Sequence, residues 1–219
     1  MKTLIFSDSH LTMRFEEKKF NYLHRIISSV DRVIINGDFW EGFWITFDQF
    51  FNSEWSKLFP LLKQKNTIYI FGNHDNKNLN NIEKIQCFSD IQTAMYSFTE
   101  NGETFIIEHG DRLFPTETDC INIHSPIFRT KIQLINFTEK LLSKMCGSMY
   151  QNLLHQYNKK IKQNIKNQNT NVTRIFGHTH CPEVDAKHHF INTGIIKHGL
   201  AQYALIENGN ITIVKERYN

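Results

Sequence analysis

Five short polar clusters hold the residues best suited to chemistry. In order they are Asp8-Ser9-His10, Gly37-Asp38, Gly72-Asn73-His74-Asp75, His109-Gly110-Asp111 and Gly177-His178-Thr179-His180. Carboxylate and imidazole donors suit divalent transition metals, and an Asn carbonyl adds a neutral oxygen. One ion takes about four to six ligands. Asp8, His10, Asp38, Asn73, His109, His178 and His180, with His74 in addition, are too many for one ion and fit two that share a carboxylate. Two ions about 3.5–4 Å apart clamp an in-line displacement at phosphorus and deprotonate a water between them. With Asp8 and Asp38 as the only anionic ligands, about two positive charges stay unneutralised, which favours a phosphate substrate over a neutral ester.

Each cluster follows an apolar, strand-like run: Leu4-Ile5-Phe6, Val33-Ile34-Ile35, Ile68-Tyr69-Ile70-Phe71, Phe105-Ile106-Ile107 and Arg174-Ile175-Phe176. In open sheets, ligand-binding groups collect in the loops beyond strand ends. Five such ends can deliver all these side chains to one place. A glycine at Gly37, Gly72, Gly110 and Gly177 permits the tight turns this needs. His24, His124, His155 and His198 stand outside the clusters and read as ordinary core or surface residues.

The clusters resemble those of the calcineurin-like metallophosphoesterases: Asp-x-His, Gly-Asp, Gly-Asn-His-Asp/Glu, His and Gly-His-x-His, all present in order across residues 8–180. The resemblance implies a single domain over 1–219, folded as a four-layer αββα sandwich of two mixed sheets. It implies two divalent ions. Manganese is the expected metal, and iron, zinc or nickel are compatible. Asp8, His10, Asp38 and His180 would hold one ion. Asp38, Asn73, His109 and His178 would hold the other, with Asp38 bridging. His74 would touch the phosphate and protonate the leaving oxygen, and Asp75 would orient its ring. An acid is needed because an alkoxide leaves poorly near pH 7.

Composition sets outer bounds. At 219 residues, 40% hydrophobic and 21% charged, the chain is sized for one α/β domain. No apolar run approaches a membrane span. The start enters a strand directly, so no signal peptide is expected. Cys87, Cys120, Cys146 and Cys181 are scattered without CxxC spacing and read as reduced thiols of a cytoplasmic protein. A net charge of +3 does not by itself argue for nucleic acid.

Along the chain, residues 2–7, 32–36, 67–71, 103–108 and 172–176 read as strands, and 16–30 as a helix behind Glu16 and Glu17. Residues 39–62 are rich in aromatics, and Phe47, Phe51, Trp55 and Phe59 would share one helix face. That face reads as core, while Phe39 to Trp44 is the stretch best placed to wall the metals. A short helix is expected over 79–87. Asn101-Gly102 and Asn208-Gly209 mark hairpins. Residues 112–170 interrupt the pattern and read as an inserted helical cap, with helices near 127–146 and 149–166. It holds nine Lys/Arg against three Asp/Glu, a balance of +6 that leaves −3 elsewhere. Such a basic, amphipathic cap covers an active site, contacts a membrane surface from the cytoplasmic side or forms a solvated face.

Within the family, the layout is most similar to the UDP-diacylglucosamine pyrophosphatases of lipid A synthesis. The resemblance rests on Gly37-Asp38-Phe39-Trp40-Glu41-Gly42-Phe43-Trp44, the helical stretch after His109, and the closing Gly177-His178-Thr179-His180-Cys181-Pro182. It implies a two-metal phosphoesterase using a metal-bridging hydroxide on a phosphodiester or pyrophosphate, with a phosphorylated small molecule or lipid-linked (UDP-acyl-sugar) substrate. The alternatives are a nuclease or nucleotide phosphodiesterase, and a non-catalytic scaffold of the same fold.

Overall fold

In the computed structural model, the described residues are 1–115, 134, 137, 138, 141, 147–165 and 172–218; side chains are described for all of these except 147–153. The expected helix near 127–146 lies almost wholly outside them.

Two mixed sheets form the interior. The first runs β10 (Ile196–Lys197), β11 (Leu200–Glu207), β1 (Lys2–Phe6), β2 (Arg32–Asn36), β3 (Ile68–Ile70), β4 (Ile91–Thr93), with β12 (Asn210–Arg217) also paired to β11. The second runs β5 (Met95–Glu100), β6 (Glu103–Glu108), β7 (Val172–Phe176), β9 (Phe190–Asn192), β8 (Glu183–Asp185). β1 to β4 are mutually parallel, as are β6, β7 and β9.

The alternation of side chains across these strands sorts the apolar residues into layers. Ile5, Ile34, Ile68 and Ile70 face inward and meet Phe105, Ile107, Ile175 and Ile191 of the second sheet. Their neighbours Leu4, Phe6, Val33, Ile35 and Tyr69 face outward. There they pack under α1 (Glu17–Ser28), α2 (Phe47–Phe51) and α3 (Phe59–Gln64). On the far side, Phe176 and Phe190 meet Ile161 and Ile165 of a long helix, Gly147–Ile165. The result is the αββα sandwich. Strands buried on both faces explain the unbroken apolar runs in the sequence. Among the described residues no helix is long and apolar enough to cross a membrane.

The aromatic stretch departs from the expected single helix. It is broken into α2, a 3₁₀ turn at Glu54–Leu58 and α3. Ser53 caps the turn, accepting from the Trp55 N–H, and Pro60 opens α3. Proline tolerates a first turn but not a helix interior, so the break is local chemistry. The core reading holds for Phe47, Trp55 and Phe59, which are buried, whereas Phe51 is only partly buried and its neighbour Phe50 takes the fully buried place. Phe39 and Trp40 are also fully buried, so the metal-facing part of the stretch is shorter than expected. The helix expected over 79–87 shrinks to Ile82–Ile85, capped by the Asn81 side chain. Both hairpins form at their Asn-Gly pairs, with positive φ at Asn101, Gly102, Asn208 and Gly209.

Candidate metal centre

The carboxyl ends of β1, β2, β3, β6 and β7 lie at one edge of the sandwich, and each carries one polar cluster. The loops there are strained. Asp8, His10, Asp38, His178 and His180 all have positive φ, between 43° and 65°. Non-glycine residues rarely adopt this conformation, and where they do the surrounding structure must hold them in it. Lys19 is one such restraint. It is buried on α1 and donates its ammonium to the Ser9 carbonyl, between the two left-handed residues Asp8 and His10. The approach of the loops is close. A Cβ on Gly37 would sit 2.4 Å from His109 Nδ1, and one on Gly72 would sit 2.2 Å from Asp38 Oδ1. Neither position tolerates a side chain.

All seven expected ligands converge. Asp38 Oδ1 accepts from the His74 N–H at 2.9 Å, which leaves Oδ2 facing inward. That oxygen lies 3.3 Å from His109 Nε2 and 3.8 Å from His10 Nε2, between the two halves of the cluster. Asp8 Oδ2 accepts from the His178 N–H, and its Oδ1 lies 3.2 Å from His180 Nε2. Asn73 Oδ1 lies 3.2 Å from both His109 Nε2 and His178 Nδ1. Two overlapping groups, Asp8, His10 and His180 and Asp8, Asp38 and His109, have ligand atoms within 4.8 Å of one another.

The outer partners of the rings determine which nitrogens face the centre. His109 Nδ1 donates to the Asn36 carbonyl at 2.8 Å, and His178 Nε2 donates to the Phe114 carbonyl at 2.8 Å. Glu41 Oε2 lies 3.1 Å from His10 Nδ1. His109 Nε2, His178 Nδ1 and His10 Nε2 are therefore left to point inward. The fit to cations follows from this. Asp8 Oδ1 is buried and accepts no hydrogen bond. The lone pair of His178 Nδ1 faces the Asn73 carbonyl oxygen. Ligand atoms of these types lie at the separation of about 3–3.5 Å found between ligands that are about 2.1 Å from one ion.

Charge agrees with this reading. Burial acts to raise Asp38, but His109 and His74 beside it hold it well below the usual carboxylate range. Burial acts to lower His109, but the Asp38 carboxylate outweighs it and lifts His109 well above 6.5. Burial lowers His10 to about 4, reinforced by the Lys197 ammonium. His178 is lowered by burial and by His109. A proton on His109 thus balances the Asp38 charge in the metal-free chain, and a bound cation displaces it.

His74 and Asp75 have different partners. The family resemblance implies that Asp75 orients the His74 ring, but its contacts lie elsewhere. Asp75 accepts from the backbone N–H groups of Asp38 (3.0 Å), Phe39 (2.7 Å) and Gly72 (2.8 Å) and from the Tyr69 hydroxyl (2.5 Å). It ties the third cluster to the second and does not touch the His74 ring. Glu41 takes that role. Its Oε1 accepts from His74 Nδ1 at 2.6 Å. Burial would lower His74, but Glu41 and Asp38 raise it to about 9. Phe43 lies against the same ring with centroids 4.1 Å apart. Only the Gly37-to-Trp44 stretch pointed towards Glu41 in the sequence; Lys19 carried no signal beyond being a cation on an amphipathic helix. Cys181 beside His180 is buried and its thiol is pushed up to about 12, the opposite of a thiolate ligand.

The sequence matches the family model for calcineurin-like phosphoesterases over residues 1–182. The chain belongs to the calcineurin-like phosphoesterase family. It is a metal-dependent phosphoesterase of that family. Its fold is similar to that of Yfce, a phosphoesterase from E. coli, at a TM-score of 0.52 and 15% identity over 100% of both chains. It is also similar to a metallophosphoesterase from Sphaerobacter thermophilus (TM-score 0.48, 16% identity, 100% of this chain and 89% of that one). A third similar structure is Zn-complexed Vps29 from Entamoeba histolytica (TM-score 0.46, 14% identity, 100% of both chains). No curated protein sequence matches this chain.

Proposed function

We propose that the chain hydrolyses a phosphodiester or pyrophosphate bond with two divalent cations, manganese being the expected metal. Asp8, His10, Asp38 and His180 hold one site, and Asp38, Asn73, His109 and His178 hold the other. The observation that carries this reading is the convergence of carboxylate, amide and imidazole ligand atoms on one place: Asp8 Oδ1, buried and accepting no hydrogen bond, lies with Asp38 Oδ2, Asn73 Oδ1, His109 Nε2 and His178 Nδ1. Bound there, the cations supply a water of lowered pKa and neutralise charge on the phosphoryl oxygens.

The chain's own residues do the rest. Two divalent ions against Asp8 and Asp38 leave about two positive charges for the phosphate. His74, held protonated near neutral pH by Glu41 and Asp38, donates from Nε2 to the leaving oxygen. Phe43 covers one face of that ring and limits its rotation.

The test uses metal-stripped protein titrated with Mn²⁺, assayed on bis-p-nitrophenyl phosphate and p-nitrophenyl phosphate, with bound metal counted in parallel. Diester cleavage that appears with the second equivalent of metal and is lost in His74→Ala supports the reading. Two bound ions without cleavage of either ester, or cleavage that needs no metal, overturns it.

A further inference from the structure

His178 and His180 flank Thr179 in a loop where both have left-handed backbone, at φ 65° and 59°. Local propensity opposes such a pair, so contacts from outside must hold the loop. One clasp comes from the long helix Gly147–Ile165, whose Asn158 is 0% exposed. Asn158 Oδ1 accepts from the Thr179 hydroxyl at 2.5 Å, and its Nδ2 donates to the Cys181 carbonyl at 3.0 Å. A single amide thus grips the loop on both sides of His180.

Neighbouring groups fix the direction of each bond. Asn192 Nδ2 donates to Thr179 Oγ1 at 3.1 Å and to the Gly177 carbonyl at 2.6 Å, so the Thr179 proton is left for Asn158. Asn158 Nδ2 also donates to Glu183 Oε2 at 2.8 Å. Lys162, a turn later on the helix, holds the other Glu183 oxygen at 2.7 Å. The amide therefore presents its NH₂ to two acceptors and its oxygen to a hydroxyl. A buried network satisfied in this way rigidifies what it joins.

The same helix supports the other contact of His178. Asn164 Nδ2 donates to the Leu113 carbonyl at 2.6 Å, and Tyr157 stacks on Phe114 with centroids 5.0 Å apart. The Phe114 carbonyl in turn accepts from His178 Nε2.

We propose that Asn158 is a positioning residue of the metal centre. Through Thr179 and Cys181 it holds the loop in the conformation that aims His178 and His180 at their ions. The proposal rests on the two-ion reading above and adds a determinant to it. His178 and His180 serve different ions in that reading, so loss of Asn158 weakens both. A residue that only satisfied buried polar groups would affect stability and leave metal affinity alone.

The test follows Mn²⁺ binding to the full chain by the EPR signal of free Mn²⁺, at a temperature where circular dichroism shows the metal-free protein folded. It needs no turnover. Asn158→Leu keeps the size of the side chain and removes its hydrogen bonds; affinity for both ions should fall about 10–100-fold. Thr179→Val removes only the hydroxyl and should weaken both ions about tenfold. Thr179→Ser, which keeps the hydroxyl, should bind like the wild type. The Thr179 pair decides where Asn158→Leu does not fold. Lowered thermal stability with unchanged affinity, weakening of one ion only, or Thr179→Val and Thr179→Ser that bind alike overturns the proposal while leaving the two-ion centre intact. A wild-type chain that binds no Mn²⁺ overturns the two-ion reading and this proposal with it.

Discussion

Glu41 Oε1 accepts a hydrogen bond from His74 Nδ1 at 2.6 Å, inside a site where Glu41 itself is 2% exposed. Its other oxygen faces His10 Nδ1. One buried carboxylate thus orients both His10 and His74, the proposed metal ligand and the proposed general acid. Glu41→Gln keeps the shape and removes the charge. We expect turnover to fall about 10–100-fold with metal retained. The pH profile gives the decisive sign. His74 acts in its protonated form, and activity falls as pH rises through about 9. Without the Glu41 charge the His74 pKa drops, so the alkaline limb of kcat moves to lower pH. A limb that stays in place removes Glu41 from this role.

Asp75 behaves differently because its partners are backbone donors. Asp75→Asn turns an amide NH₂ towards N–H groups that need an acceptor. A loss of about 2–4 kcal/mol in urea denaturation is expected. Metal affinity should fall with it, since Asp75 holds the Asp38 and Gly72 backbones. The alkaline limb of kcat should not move. A shift like that of Glu41→Gln would restore Asp75 as the partner of His74.

Asp38 lies between the two halves of the centre. Asp38→Ala should therefore cost both ions, read as metal per chain after dialysis. Asn73→Ala should weaken only one. Two ions retained in Asp38→Ala would contradict a shared carboxylate.

Lys19 gives a pH signature in stability. Burial lowers its pKa to about 7 from 10.5. Below pH 7 the ammonium is charged in both folded and unfolded chains, and its full burial cost is present. Between 7 and 10.5 the folded chain sheds the proton and the unfolded chain keeps it, so this group makes stability rise with pH, by up to about 1.4 kcal/mol per unit. Lys19→Met should flatten that rise in metal-free protein. It should also weaken metal binding, because the Ser9 carbonyl between Asp8 and His10 loses its donor. An unchanged pH dependence would contradict the burial cost.

Much of this molecule was legible from local pattern. Apolar runs such as Ile68-Tyr69-Ile70 must be buried on both faces, and a polar cluster directly after each run must sit at a strand end. That Asp8, His10, Asp38, Asn73, His109, His178 and His180 would come together follows from residue type and order, because each stands directly after a strand-like run and the strand ends share one edge. The Asn-Gly pairs likewise specify their turns, since both positions tolerate the positive φ that a tight hairpin requires.

Tertiary structure decided what spans long separations or depends on geometry finer than a period. Asp75 is adjacent to His74 in sequence, yet its side chain points the other way, into Asp38, Phe39 and Tyr69. Glu41 reaches His74 only because β2 and β3 lie side by side and parallel. Breaks in the aromatic stretch come from a Ser cap and a proline that override a helical spacing. The positive φ of Asp8, His10, Asp38, His178 and His180 is imposed by packing around the loops, which local propensity opposes. The sequence therefore determined which groups form the centre; which carboxylate serves which ring was decided by contacts between elements far apart in the chain.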